Sequence, residues 1–175
     1  MNKTIVFLGD SLTEWGGWNE RFPDKEIHNC GIAGNTTAQI LQRLKPVLAL
    51  APDKLFFMAG INDLGDGESV PQIMLRYKQI IEALAEGKKK PQIFIYSVLP
   101  VNKELFCNPK LHADSIPYLN SEIKEFADKN RHTFINLYPL FTDQNDKLSK
   151  NFTEDGLHLN NAGYELWKLQ IEKLI

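Results

Sequence analysis

The stretch Ile5-Val6-Phe7-Leu8-Gly9-Asp10-Ser11-Leu12 decides the fold. Four apolar residues run unbroken into Gly-Asp-Ser. A short apolar run ended by glycine reads as a strand buried on both faces, the pattern of a parallel sheet. Ser11 then falls just past the carboxyl end of that strand. In open α/β sheets that edge is where ligands bind, so Ser11 is a candidate nucleophile.

Working outward, further strands are predicted at Glu26 to Cys30, Lys54 to Met58, Gln92 to Val98 and Thr133 to Leu137. Helical patterns lie between them. Thr36 to Leu48 carries Ile40, Leu41, Leu44, Val47 and Leu48 at helical spacing, with Thr36 and Gln39 fitting a capping box and Pro46 predicting a kink. Pro71 suits the first turn of a helix that Gly87 ends. Asp114 or Ser115 opens another helix, and a last one runs from about Asn160. The segment Trp15 to Trp18 reads as a loop or broken helix. Strands alternating with helices predict one doubly wound α/β domain over residues 1–175, a sheet covered on both faces with its five parallel strands in the order 2-1-3-4-5.

With 175 residues and a formal net charge of -2, the chain can bury a real core and offers no basic surface. Nucleic acid and stable membrane association are not expected as partners, and no stretch approaches the length of a membrane span. Two cysteines, Cys30 and Cys107, are too few for a disulfide framework, although a single bridge stays open. A reduced cytoplasmic protein is expected, since Lys3 leads directly into a short strand rather than a long apolar region. A periplasmic or secreted protein is the alternative, if a signal peptide has been removed. Oligomeric state is not legible.

The carboxyl ends of the strands carry the chemistry. The first delivers Asp10 and Ser11, the second Gly31 to Asn35, and the third Gly60 to Asp63; the loop before the last helix delivers Asp155 to His158. A serine hydroxyl needs an adjacent base, and His158 is the candidate. Asp155, three residues earlier, can reach the other ring nitrogen and fix the tautomer. The Ser11 and Gly34 N–H groups with the Asn62 amide are candidate oxyanion donors. Asp10, Leu12 and Asn35 are candidate substrate-pocket residues.

These residues resemble the GDSL esterases, or SGNH hydrolases. Gly9-Asp10-Ser11-Leu12 is similar to the name motif, and Gly34 lies in Asn-Cys-Gly-Ile-Ala-Gly-Asn-Thr-Thr, similar to the glycine block. Ala-Gly-Ile-Asn62-Asp63 resembles Gly-x-Asn-Asp, and Asp155-Gly-Leu-His158 resembles the Asp-x-x-His block. The look is closest to the branch of platelet-activating-factor acetylhydrolase subunits and lysophospholipase-like esterases. The resemblance implies a three-layer α/β/α, flavodoxin-like fold and a serine esterase without metal or cofactor. It implies Ser11, Asp155 and His158 as triad and Ser11, Gly34 and Asn62 as oxyanion donors. The substrate would be a small-molecule ester, with short acyl groups expected. Lysophospholipids, thioesters and transfer to an alcohol are alternatives, and a flavodoxin-like binding module is the non-catalytic one.

Each residue also has a plain structural reading. Ser11-Leu12-Thr13-Glu14 fits a capping box, Asp10 a turn, Gly34 a loop needing positive φ, and Asn62-Asp63 a turn. Asp155 and His158 could be ordinary loop and helix-entry residues. His28, His112 and His132 read as surface residues, with His112 on the functional edge. Cys30 reads as a small buried hydrophobe. Trp15 and Trp18 either cover the core or line an acyl pocket, and residues 101–113 match no pattern.

Overall fold

The computed structural model describes residues 3–175. Strands β1 (Thr4–Gly9), β2 (Glu26–Gly31), β3 (Lys54–Met58), β4 (Gln92–Tyr96) and β5 (Thr133–Ile135) form one parallel sheet in the order β2-β1-β3-β4-β5. This is the predicted topology. β4 and β5 each stop two residues short of the expected end. Beyond β4 the Ser97 N–H still donates to the Ile135 carbonyl, and beyond β5 the Leu137 N–H turns to the Ser97 hydroxyl.

Alternation along the strands sorts the core into two layers. Val6, Leu8, Leu55, Phe57, Ile93 and Ile95 face one side of the sheet. There they pack against α3 (Thr37–Gln42), α4 (Leu44–Ala49), α6 (Val70–Ala85) and α7 (Ile116–Lys129). Ile5, Phe7, Phe56, Met58, Phe94 and Tyr96 face the other side. They meet α1 (Ser11–Glu14), α2 (Trp18–Arg21), α8 (Tyr138–Phe141) and α9 (Asn161–Ile171). The short α5 (Ile61–Gly65) follows β3 at the functional edge. The result is the three-layer α/β/α sandwich.

Strand register places Phe7, Phe56 and Phe94 side by side across three strands. Their rings stack with centroids 5.0 and 4.4 Å apart, and Trp18 covers Phe7 at 4.4 Å. Trp167 then meets Trp18 edge-on at 5.1 Å, tying α9 to α2.

The segment after Thr36 departs from the expected kinked helix. The capping box of Thr36 and Gln39 is present, but the chain breaks into α3 and α4 at Arg43 rather than bending at Pro46. The proline ring would collide with the carbonyl four residues back, which is that of Gln42. The first helix therefore ends there. Trp15 to Gly17 form the link between two single turns, α1 and α2, with Gly17 at φ 56°.

Phe56→Ala removes the middle ring of the stack from a fully buried site. It should lower unfolding free energy by about 3–5 kcal/mol, read from urea denaturation. A loss under about 1 kcal/mol would show that the neighbouring rings collapse into the gap.

Candidate active site

β1 ends at Gly9, and the chain turns at once into α1. Asp10 rather than Ser11 caps that turn: its Oδ1 accepts the Leu12 N–H at 3.0 Å. Ser11 is thus the first helical residue. Its N–H has no acceptor within so short a helix, and its hydroxyl is not consumed by capping. The plain reading of Ser11 as a cap is corrected here, because the acidic neighbour takes that role.

The Ser11 Oγ lies 3.0 Å from His158 Nε2, across 147 residues of chain. The other ring nitrogen, Nδ1, lies 2.6 Å from Asp155 Oδ2. The carboxylate is itself oriented, since its Oδ1 accepts the Leu157 and His158 N–H groups at 2.9 and 2.8 Å. Burial works to raise the Asp155 pKa, but the His158 ring and these two N–H groups outweigh it and hold the carboxyl at about 2. Asp155 is therefore ionised throughout the neutral range. It places the imidazole proton on Nδ1 and leaves Nε2 to accept from the serine hydroxyl.

The turn that carries this pair is shaped by Gly156, at φ 84°. A Cβ there would come within 2.5 Å of the Asn102 carbonyl. The Asn102 N–H donates to the Gly156 carbonyl at 2.8 Å. Residues 101–113, unreadable as sequence, are thus pinned beside the His158 turn. From the other side the Tyr164 hydroxyl of α9 donates to the Leu12 carbonyl of α1 at 3.0 Å.

Gly34 and Asn62 sit together on the second and third loops. Gly34 has φ 76° with open space above it, and none of the described residues accepts its N–H. The Asn62 amide donates to the Asn35 carbonyl at 3.0 Å. Both line a cavity of about 270 Å³ with Ile61, Phe106, Leu111 and Leu157.

Residues 7–166 match the GDSL-like Lipase/Acylhydrolase family. The chain belongs to that family. GDSL enzymes hydrolyse ester bonds, and four blocks of this chain, ordered Ser11, Gly34, Asn62 and Asp155 with His158, fall on one edge of its sheet. A Streptococcus pneumonia protein, described provisionally as a platelet activating factor, is similar over 99% of this chain and 84% of its own, at 31% identity and a TM-score of 0.89. The human platelet-activating factor acetylhydrolase IB subunit alpha1 is 25% identical, over 91% of this chain and 70% of its own. The N-acylneuraminate cytidylyltransferase of Escherichia coli O18:K1:H7 is 26% identical over 98% of this chain. The chain spans only about 40% of that protein's length.

Two pocket candidates are corrected. Asp10 is fully buried and Leu12 is 2% exposed, packed in the core layer beside Trp18 and Tyr164. Neither has surface to offer a substrate. Asn35 is half-buried, and its side-chain oxygen accepts from Arg43 Nε at 2.6 Å, so it fixes the loop. His112 is exposed at the end of the 101–113 loop. Cys30 and Cys107 are both free thiols, and burial pushes the Cys30 thiol up. Among the described residues, no group of His, Cys, Asp or Glu is clustered to hold a metal ion, and no helix is long and apolar enough to cross a membrane.

The sequence left three roles unread, those of Asp63, Arg43 and Trp15. Asp63, fully buried, accepts the Thr37 N–H and hydroxyl and pairs with Arg76 at 3.3 Å. It clamps the start of α3 to α5, and so holds the Gly34 loop against Asn62. Arg43 reaches from the break between α3 and α4 to the Gly9 carbonyl at 2.9 Å. Trp15 packs on the His158 ring, with centroids 4.3 Å apart. A charged residue at a helix break was the only signal for Arg43.

Asp10 leaves one more mark. Its Oδ2 is buried with no partner among the described residues. Burial raises its pKa to about 7 against the Leu12 N–H, and the nearby Asp63 charge adds to the rise. The folded state then holds this proton more tightly than the unfolded chain does. Its contribution to stability falls as pH rises from about 4 to about 7. The melting temperature of Asp10→Asn relative to wild type should therefore climb across that window, measured by thermal denaturation. A difference independent of pH would show that Asp10 does not titrate there.

Proposed function

We propose that this GDSL enzyme is a serine esterase working through an acyl-enzyme on esters with short acyl groups. The reading is carried by one observation, the unbroken relay from Ser11 Oγ through His158 to Asp155. Ser11 Oγ attacks the ester carbonyl carbon while His158 Nε2 takes the hydroxyl proton. The carbonyl oxygen becomes an oxyanion. The Ser11 and Gly34 N–H groups and the Asn62 amide surround it; the Asn62 amide has two hydrogens and spends one on the Asn35 carbonyl. The intermediate collapses, the bond to the alcohol oxygen breaks, and His158 returns its proton to that oxygen. Water then attacks the acyl carbon, giving its proton to His158. The second collapse releases the carboxylic acid and restores the Ser11 hydroxyl.

Asp155 stays anionic throughout, orienting the ring and stabilising the imidazolium. The cavity beside Gly34 and Asn62 supports the short acyl group. Its 270 Å³ lies below the ~300–1,000 Å³ typical of sites for drug-sized ligands, and Phe106 and Leu111 line it.

Wild type should hydrolyse p-nitrophenyl acetate and lose rate as the acyl chain lengthens. Ser11→Ala should abolish turnover with an unchanged far-UV spectrum; full activity in that variant would sink the proposal. Asn62→Ala should lower kcat by about 10² to 10³, the cost of one oxyanion donor. A change below about threefold would remove Asn62 from that role.

A further inference from the structure

The reaction sorts the surroundings of Ser11 into two sides. Gly34 and Asn62 mark the acyl side. His158 must deliver its proton to the leaving oxygen, so the alcohol lies on the His158 side. A second cavity of about 450 Å³ stands there, lined by Trp15, Glu154, Asp155, His158 and Asn161. It is the roomier of the two, against 270 Å³ on the acyl side. The volumes suit a small acyl group on a larger alcohol.

The wall of this second cavity has a definite chemistry. Trp15 rests on His158, yet 51% of its surface stays in water. Around it stand polar groups with spare capacity. Glu154 makes no hydrogen bond or ion pair among the described residues. Asn161 uses its carbonyl oxygen to accept from Arg21 Nη2 at 2.8 Å, which leaves its amide hydrogens available. An indole flanked by an acceptor and a donor complements a ring that shows C–H bonds on its face and hydroxyls around its rim. A quaternary ammonium group would also lie on an indole. It has no acceptor for the Asn161 amide, whereas a sugar hydroxyl satisfies both that amide and Glu154.

We infer that the alcohol half of the substrate is a sugar ring stacked on Trp15, so that the substrates are O-acylated sugars and Trp15 selects them. The inference rests on the esterase reading above. It separates Trp15 from the relay: the indole acts mainly on binding of the alcohol, and the triad acts on the bond.

The test compares kcat/KM on a methyl mono-O-acetyl pyranoside, ethyl acetate and acetylcholine. Wild type should prefer the pyranoside. Trp15→Ala should lower the pyranoside-to-ethyl-acetate ratio by about 3- to 10-fold, mainly through KM, the worth of one aromatic contact. Trp15→Phe should restore most of it. Glu154→Ala, at an exposed position, should lower the same ratio and guards against a misfolded Trp15 variant. Equal losses on both esters, confined to kcat, would overturn the inference by making Trp15 a support for His158 alone. A Trp15-dependent preference for acetylcholine would overturn it in favour of a cationic alcohol. Labelling of Ser11 by a fluorophosphonate without any pyranoside preference defeats the sugar alone. No labelling and no hydrolysis of any ester defeats the esterase reading itself.

Discussion

A strand buried on both faces must spend every peptide group on its neighbours and every side chain on the core. β1 is such a strand. Val6 and Leu8 are committed to one layer, and Ile5 and Phe7 to the other. Chemistry can enter only where the strand leaves the sheet, and Asp10 and Ser11 occupy that first free position. The same constraint acts on β2 and β3, whose loops carry Gly34 and Asn62. With β1 between them, the two loops flank the nucleophile. The site is a consequence of strand order more than of any single contact.

Holding those loops in register falls to charged groups taken out of water. Asp63 binds the first turn of α3, and Arg43 binds the Asn35 side chain and the end of β1. Burial raises the Asp63 pKa, opposed by the Thr37 hydrogen bonds and the Arg76 charge. Losing one partner would strand the other in a low-dielectric setting, which costs more than the pair itself contributes. The loops are therefore fixed by groups that must remain matched.

Much of this was legible in the residues. The apolar runs of β1, β3 and β4 announced buried strands, and period 3.6 announced α6, α7 and α9. Ser11, Gly34 and Asn62 were legible as chemistry because each stood past the end of a strand, and Asp155 and His158 because they stood together just before the last helix. The misreadings share a cause. The capping role moved from Ser11 to Asp10, and Asp10 and Leu12 left the pocket, because the sense in which a side chain points at a strand end depends on the turn that follows. The Arg43 and Asp63 clamps have partners that lie distant in sequence: Asp63 reaches Thr37 across 26 residues, and Arg43 reaches Gly9 across 34. Local pattern carries no trace of such pairs. Trp15 was left between core and pocket because burial is a property of the assembled layers.

The bond from Tyr164 to the Leu12 carbonyl, with Trp167 against Trp18, fastens α9 to the backbone of the nucleophile turn. The residues leading into α9 also carry the base. One C-terminal element thus governs both the supply of the base and the footing of the nucleophile. Opening of that element alone would silence the enzyme while the β1–β3–β4 sheet stayed intact. Were α9 to open first on heating, activity would be lost before the collapse that spectroscopy of the whole fold records.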